Sequence, residues 1–295
     1  MKEYRSAFFK LSLSMIIFGS IGIFVRYIPL SSALIAQVRA IIGTIFLFAA
    51  MLIGRKRMTW TAVRSNLLLL LLSGTAIGFN WIRLFESYRY TSVAVSTLCY
   101  YMAPILVVLL SPLVLKEKLT PKKLLCVAAA VIGIAFVSGV FSAGSIGSGD
   151  ITGMLLGLGA ACLYAVAMLL NKKMHGIGSM DRTVLQLGIS ALVLLPYNIL
   201  LPAAEPVSLD GVAIILLLVV GVVHTGLAYF LYFGSIEHMQ MQSVAIISYL
   251  DPVFAVILSV LLLKEPISVP ELLGAVLILG AASVSELSFE RSKNQ

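Results

Sequence analysis

Charge is scarce in this 295-residue chain: 12% of positions are Asp, Glu, Lys or Arg, 60% are apolar, and the mean hydropathy is +1.05. A soluble domain has about a quarter of its residues charged, and so few charges could not cover the surface of a water-soluble fold this size. The long apolar runs must therefore face lipid. Cysteine is equally rare. Cys99, Cys126 and Cys162 are odd in number, lack CxxC spacing and lie inside apolar runs, which argues against a disulfide framework or a zinc site and leaves them as packing residues. The sequence also lacks a GxxxxGK[ST] loop, an HExxH pair and a GxSxG elbow, so neither direct ATP use nor intramembrane hydrolysis has its usual residues, and no cofactor is expected. The remaining rival classes are an intramembrane enzyme of another design and a non-transporting scaffold or receptor.

The formal net charge of +8 does not point to nucleic acid, because the basic residues form short clusters between apolar runs rather than one extended face. Ten apolar segments are legible, at about 7–25, 32–53, 67–88, 93–114, 123–141, 153–171, 183–201, 211–233, 243–263 and 270–287. Each approximates the 17–25 residues needed to cross hydrocarbon as a helix. Lys2, Arg5 and Lys10 precede the first run as in a signal peptide, but no small-x-small cleavage site follows, so the run reads as a retained helix. With the N-terminus inside, sixteen of the 21 Lys and Arg residues fall on the cytoplasmic side. Three (Arg26, Arg89, Lys264) fall outside and two (Arg39, Arg83) within helices. This bias places both termini in the cytoplasm.

The chain repeats itself. Residues 101–120 (YMAPILVVLLSPLVLKEKLT) and 249–268 (YLDPVFAVILSVLLLKEPIS) match at nine of twenty positions without a gap, including Tyr101/Tyr249, Pro104/Pro252, Ser111/Ser259 and Lys116-Glu117/Lys264-Glu265. These are the fourth and ninth segments, so the unit is five helices, and an odd unit forces the second copy to insert upside down. The expected fold is an all-α membrane protein of two inverted five-helix repeats, 7–141 and 153–287. A Gly/Ser-rich extracytoplasmic linker over 142–152 joins them, and a cytoplasmic tail follows over 288–295. Inverted repeats suit a carrier, since equivalent halves can exchange an inward gate for an outward one.

Phe18-Gly19-Ser20, Val38-Arg39, Tyr88-Arg89-Tyr90-Thr91-Ser92 and the twice-used Pro…Leu-Lys-Glu pattern resemble the EamA-type branch of the drug/metabolite transporter superfamily over nearly the whole chain. Phe18 stands where that family usually has Trp. The resemblance implies a carrier with a central cavity lined by helices one to four and six to nine, helices five and ten serving as outer braces. Its substrates range over amino acids, metabolites and drugs.

Charges within the membrane are costly and mark candidate sites. Arg83 and Glu86, three apart on one helix, read as a mutual ion pair or as contacts for a polar solute, with Asn80 and Trp81 a turn deeper. Asp251 before Pro252 reads as a helix N-cap or as a group in the solute path, with a helix break expected near Tyr249. His224 lies near the middle of its helix, and Tyr229 falls at the repeat position of Trp81, so the halves are expected to supply facing aromatic walls. Arg39, with Tyr100, Tyr101, Tyr232 and Tyr249, completes the candidate substrate-binding set. Pro104 and Pro252 are hinge candidates. Gly19, Gly22, Gly74, Gly78, Gly153 and Gly157 let helices approach closely. The expected partners are a small-molecule solute and the lipid bilayer, with protons or ions as coupling species and a monomeric or homodimeric state. The topology has a direct test. Ile146→Cys in a Cys-free background should react with an impermeant thiol reagent on intact cells, and labelling only after permeabilisation rejects the orientation.

Overall fold

The computed structural model describes residues 2–55, 58–116, 119–137, 148–201, 210–236, 238–239 and 241–291. The clusters Lys56-Arg57 and Glu117-Lys118, the loop 202–209, linker residues 142–147 and the tail beyond Arg291 lie outside the described residues. Among the described residues every regular element is helical.

The first half comprises α1 (Lys2–Arg26), α2 (Ser32–Ile53), a short α3 (Trp60–Ser65), α4 (Leu67–Tyr90), α5 (Val93–Tyr100), α6 (Ala103–Leu115) and α7 (Pro121–Val137). The second comprises α8 (Ser148–Lys173), α9 (Ser179–Leu200), α10 (Gly211–Leu218), a π-helical stretch (Val219–Leu227), α11 (Ala228–Ile236), α12 (Met241–Ser248), α13 (Leu250–Leu262) and α14 (Val269–Arg291). Among the described residues seven helical spans are long and apolar enough to cross a membrane, and Ile246–Leu262 and Val269–Val284 are shorter apolar helices. α3 was not expected from hydropathy, because six residues on a surface helix leave no apolar run.

Local chemistry sets the starts. The Ser31, Ser92 and Asp210 side chains accept from the amides of Leu34, Val95 and Ala213 at 3.3, 3.0 and 2.7 Å, capping α2, α5 and α10. Ser268 and Glu271 form a reciprocal capping box at the start of α14.

The repeat read from the sequence recurs in the backbone. α5 ends at Tyr100 and α6 begins at Ala103, while α12 ends at Ser248 and α13 begins at Leu250, so both breaks fall at Tyr101 and its counterpart Tyr249. Each second half-helix then carries its proline, Pro104 or Pro252, in its first turn, where no intrahelical N–H is required. At the far ends Lys116 and Lys264 both take the left-handed conformation, with φ of 57° and 55°.

The packing partners follow the same rule. α4 lies against α8 as α1 lies against α11 and the π-helical stretch; α4 meets α9 as α2 meets the π-helical stretch; α1 meets α13 as α8 meets α6; and α2 meets α9 across the halves. Exchanging each spanning segment for the one five places on returns each of these contacts, whereas α2 also packs on α4 without a comparable contact between α9 and the π-helical stretch among the described residues. α7 and α14 pack on each other at the side of the bundle. Glycine permits that last contact: a Cβ at Gly274 would lie 2.6 Å from the Gly133 carbonyl oxygen and 2.7 Å from Val137 Cγ2. Gly274→Val should therefore destabilise the fold by about 1–3 kcal/mol, read as a lower melting temperature in detergent. Gly280→Ala, whose Cβ meets nothing within 4 Å, should melt like the parent. Equal melting of the two variants would contradict this packing.

Candidate functional site

Between the halves lies a cavity of ≈390 Å³, within the range of small-molecule sites. Its walls come from α1, α2, α4, the α5–α6 break, α8, α9, α11 and the α12–α13 break, and none of its lining residues belongs to α7 or α14. Aromatic rings form much of the walls. Phe18 and Tyr229 meet edge-on at 5.1 Å between ring centroids, Tyr229 stacks on Phe233 at 5.9 Å, and Tyr101 and Tyr249 face each other at 6.3 Å. The expected pair Trp81 and Tyr229 both line it. So do Arg39, Tyr249, Asp251 and Pro104.

Arg39 is 5% exposed. It reaches the cavity because α2 runs close against the π-helical stretch, where a Cβ at Gly221 would sit 2.6 Å from Ile42 Cβ. The Arg39 Nε donates to Thr225 Oγ1 at 2.8 Å, and Thr225 Oγ1 donates to the Val220 carbonyl at 3.0 Å, a partner five residues back that the wider π turn brings into reach. The guanidinium carbon lies 4.0 Å from the Trp81 ring centroid and 5.6 Å from that of Phe85. A desolvated cation over an aromatic face gains about 2 kcal/mol, less than the several kcal/mol that burying an ion forfeits. Among the described residues no carboxylate lies within ion-pairing distance of Arg39.

Asp251 lies on the second half-helix beside the break. The cap reading is corrected: the N-cap of α13 is Tyr249, which makes no side-chain cap, and Asp251 is already inside the first turn. Its carboxylate is thus free of capping duty and lies within hydrogen-bonding reach of the Tyr101 hydroxyl. Gly19 of α1 packs directly on the Asp251 carbonyl, leaving no room for a Cβ.

Five expected residues lie elsewhere. Arg83 does not pair with Glu86; it is exposed, and its guanidinium runs along α8 at Gly159. Glu86 instead accepts from Ser32 Oγ at 2.7 Å and pairs with Arg89 at 3.7 Å. The cause is helical phase: Ile77, Trp81, Leu84 and Tyr88 of α4 form the cavity face, and positions 83 and 86 fall off it. Asn80 is fully buried between helices, donating to the Ala160 carbonyl at 2.6 Å. His224 is buried behind the cavity wall, one ring nitrogen 3.0 Å from Ser20 Oγ and the other 3.3 Å from the Val219 carbonyl, its ring 4.6 Å from that of Phe24. Pro252 is buried but does not line the cavity. Of the cysteines, Cys99 and Cys126 are buried as expected, whereas Cys162 faces outward.

Sequence reasoning missed a polar end. Asn171, Arg182, Thr183 and Gln186 line the cavity where α8 ends and α9 begins. Gln186 donates to Ser73 Oγ and Asn171 Oδ1 at 2.6 and 2.7 Å. Arg182 had been counted only as a topology-setting charge, and hydropathy gives no sign that it turns inward.

The opposite end is stitched shut. Arg26, at the end of α1, donates to the carbonyls of Tyr88 and Thr91 and lies 3.6 Å from Glu265. Glu265 accepts from the Val93 amide at 2.9 Å and from Ser259 Oγ. Thr91 donates to Asp150 at 3.0 Å. The ends of α1, α4 and α13 and the starts of α5 and α8 are thereby held together.

Comparison with known proteins agrees with this architecture. The profile of the EamA-like transporter family matches residues 5–139 and again 151–286, one match in each half. The uncharacterized transporter YxxF of Bacillus subtilis is 31% identical over 288 residues, covering 96% of this chain and 90% of that protein. Protein PecM of Dickeya dadantii is 28% identical over 217 residues, covering 72% and 71%. A solved crystal structure with 19% identity has the same fold, with a TM-score of 0.63 over 98% of this chain and 99% of that one. The chain belongs to the EamA-like transporter family and is a multi-pass membrane protein.

Proposed function

We propose that this member of the EamA-like transporter family is a secondary transporter with ten membrane helices in two inverted repeats. It carries a small organic solute (an amino acid, metabolite or drug) across the cytoplasmic membrane by alternating access, with both termini in the cytoplasm. The observation that carries this reading is the cavity between the halves, closed at one end by the Arg26–Glu265 stitch and reaching the other end at Arg182. By the Lys/Arg bias the closed end is extracytoplasmic. In the sequence the counterpart of Lys264-Glu265 is Lys116-Glu117, which the Lys/Arg bias assigns to the cytoplasmic side.

The solute sits among Arg39, Trp81, Tyr229, Tyr249 and Asp251, with Pro104 and Pro252 marking the flexing points of the two broken helices. Asp251 is the acid that exchanges a coupling proton. It shares the cavity with Arg39 of α2, Tyr88 of α4, Tyr100 and Tyr101 at the α5–α6 break, and Tyr229 of α11. The absence of any ATP-binding loop in the sequence fits coupling to an ion gradient or simple facilitation.

Two measurements test this. Glu265 combines a partly exposed ion pair, worth about 1 kcal/mol at the solvent-screened limit, with charge-assisted bonds worth about 1.5–3 kcal/mol. Glu265→Gln should therefore favour outward opening, and Thr97→Cys in a Cys-free background should label from outside at least threefold faster. Unchanged labelling removes the gate. Compounds that raise the melting temperature of the purified protein should exchange across proteoliposomes. Asp251→Asn, uncharged at every pH, should flatten the pH dependence of that flux while leaving the protein folded. Failure of every stabilising compound to exchange would refute transport, and an unchanged pH profile would refute coupling through Asp251.

A further inference from the structure

We propose that the cavity takes a solute bearing a carboxylate on an aromatic or apolar body, with the carboxylate seated on Arg39 and received at the polar end by Arg182. This deepens the transporter reading and rests on the same cavity.

Two arginines line one cavity, and neither has a carboxylate within ion-pairing distance among the described residues. A guanidinium stays charged in any surroundings. At Arg39 the Nε is committed to Thr225 and one face of the group to Trp81, which leaves the Nη edge as the part available to a ligand. A carboxylate matches that edge with two parallel hydrogen bonds. The acid on the walls, Asp251, bonds toward Tyr101 and makes no direct ion pair with Arg39, although the two opposite charges share the cavity and attract one another, so the Arg39 fork is not occupied by it. With two cations and one anion the lining has a positive balance, and in a low-dielectric cleft that balance draws anions inward.

Arg182 stands in the first turns of α9, one helical turn from Gln186, whose amide is held by Ser73 and Asn171. It is placed to receive an anion before Arg39 does. Most of the rest of the wall is aromatic ring and aliphatic side chain, which suits a flat or apolar body rather than a hydrated one.

The test uses Trp81 as its own reporter. The chain has two tryptophans, so in Trp60→Phe protein the remaining indole lies directly against Arg39. The full chain in detergent is titrated with 3-phenylpropionate, 3-phenylpropylamine and 3-phenylpropanol, three probes that differ at the head group alone. The propionate should change Trp81 emission saturably and bind at least tenfold more tightly than the other two. Arg39→Gln should weaken it tenfold or more, and Arg39→Lys should recover only part, since an ammonium lacks the fork. Arg182→Gln, away from the indole, should slow association several-fold and reduce its salt dependence. Should Arg39 variants fail to fold, the Arg182→Gln rates still decide the matter, and unchanged rates overturn the proposal. Equal or tighter binding of the amine, which would make Asp251 the anchor, also overturns it, as does a lack of saturable propionate binding. Because binding is read without flux, propionate that binds at Arg39 but does not cross proteoliposomes refutes transport and leaves this assignment standing.

Discussion

A helix that breaks within a membrane exposes backbone groups that hydrocarbon cannot satisfy, so a break survives only where protein or a water-filled cavity covers it. This chain breaks two helices at equivalent points, and the rest of the site follows from where the breaks lie. Tyr101 and Tyr249 face each other across the cavity at 6.3 Å, so each break is covered by the other half of the molecule. The prolines then sit in first turns, where their missing N–H groups are harmless. A third irregularity, the π-helical stretch over Val219–Leu227, borders the same region and brings Thr225 to Arg39. All three departures from regular helix serve one chamber.

The parts of this arrangement written as repeated residue identities were legible in the sequence. The Asp251-Pro252 pair marked the break near Tyr249, whereas the break at Tyr101 was not expected although Pro104 was read as a hinge; the correspondence of Trp81 with Tyr229 pointed to two aromatic walls. Arg39 was legible because a cation deep in an apolar segment needs a reason to be there. Arg83 and Glu86 satisfied the same criterion and misled, because charge says that a residue is unusual but not which way it points. The face of α4 that lines the cavity is spelled by Ile77, Trp81, Leu84 and Tyr88. That is an apolar stripe at helical spacing, which sequence alone cannot tell from a lipid-facing or packing stripe. Arg182 was hidden for the converse reason: a basic residue after a spanning helix is what topology requires anyway, so its inward turn left no mark.

The two ends of the cavity differ in chemistry. At the closed end Arg26 and Glu265 bind mainly backbone: the carbonyls of Tyr88 and Thr91 and the amide of Val93. These are helix-end groups that lack intrahelical partners, so the stitch satisfies unmet hydrogen bonds as well as pairing two charges. At the polar end Asn171, Gln186 and Ser73 hold one another through side chains, while among the described residues the Arg182 guanidinium makes no ion pair. One end is tied through backbone groups, and the other is lined by polar side chains.

The symmetry of the scaffold and the asymmetry of its charges divide the work. Position 251 is Asp in the second half, and its repeat counterpart is Ala103; both line the cavity. Counted along the two matching 22-residue helices, Arg39 of α2 corresponds to Gln186 of α9, and both again line the cavity. Equivalent positions thus form the walls in both halves, as exchange between two mirrored conformations demands, yet each charged position has a neutral counterpart. In the proposed alternating-access cycle a bound solute would keep the same charged contacts whichever end is closed. Gating through the paired breaks would then leave the contact to Arg39 intact, and a single set of charges would serve the solute from either side of the membrane.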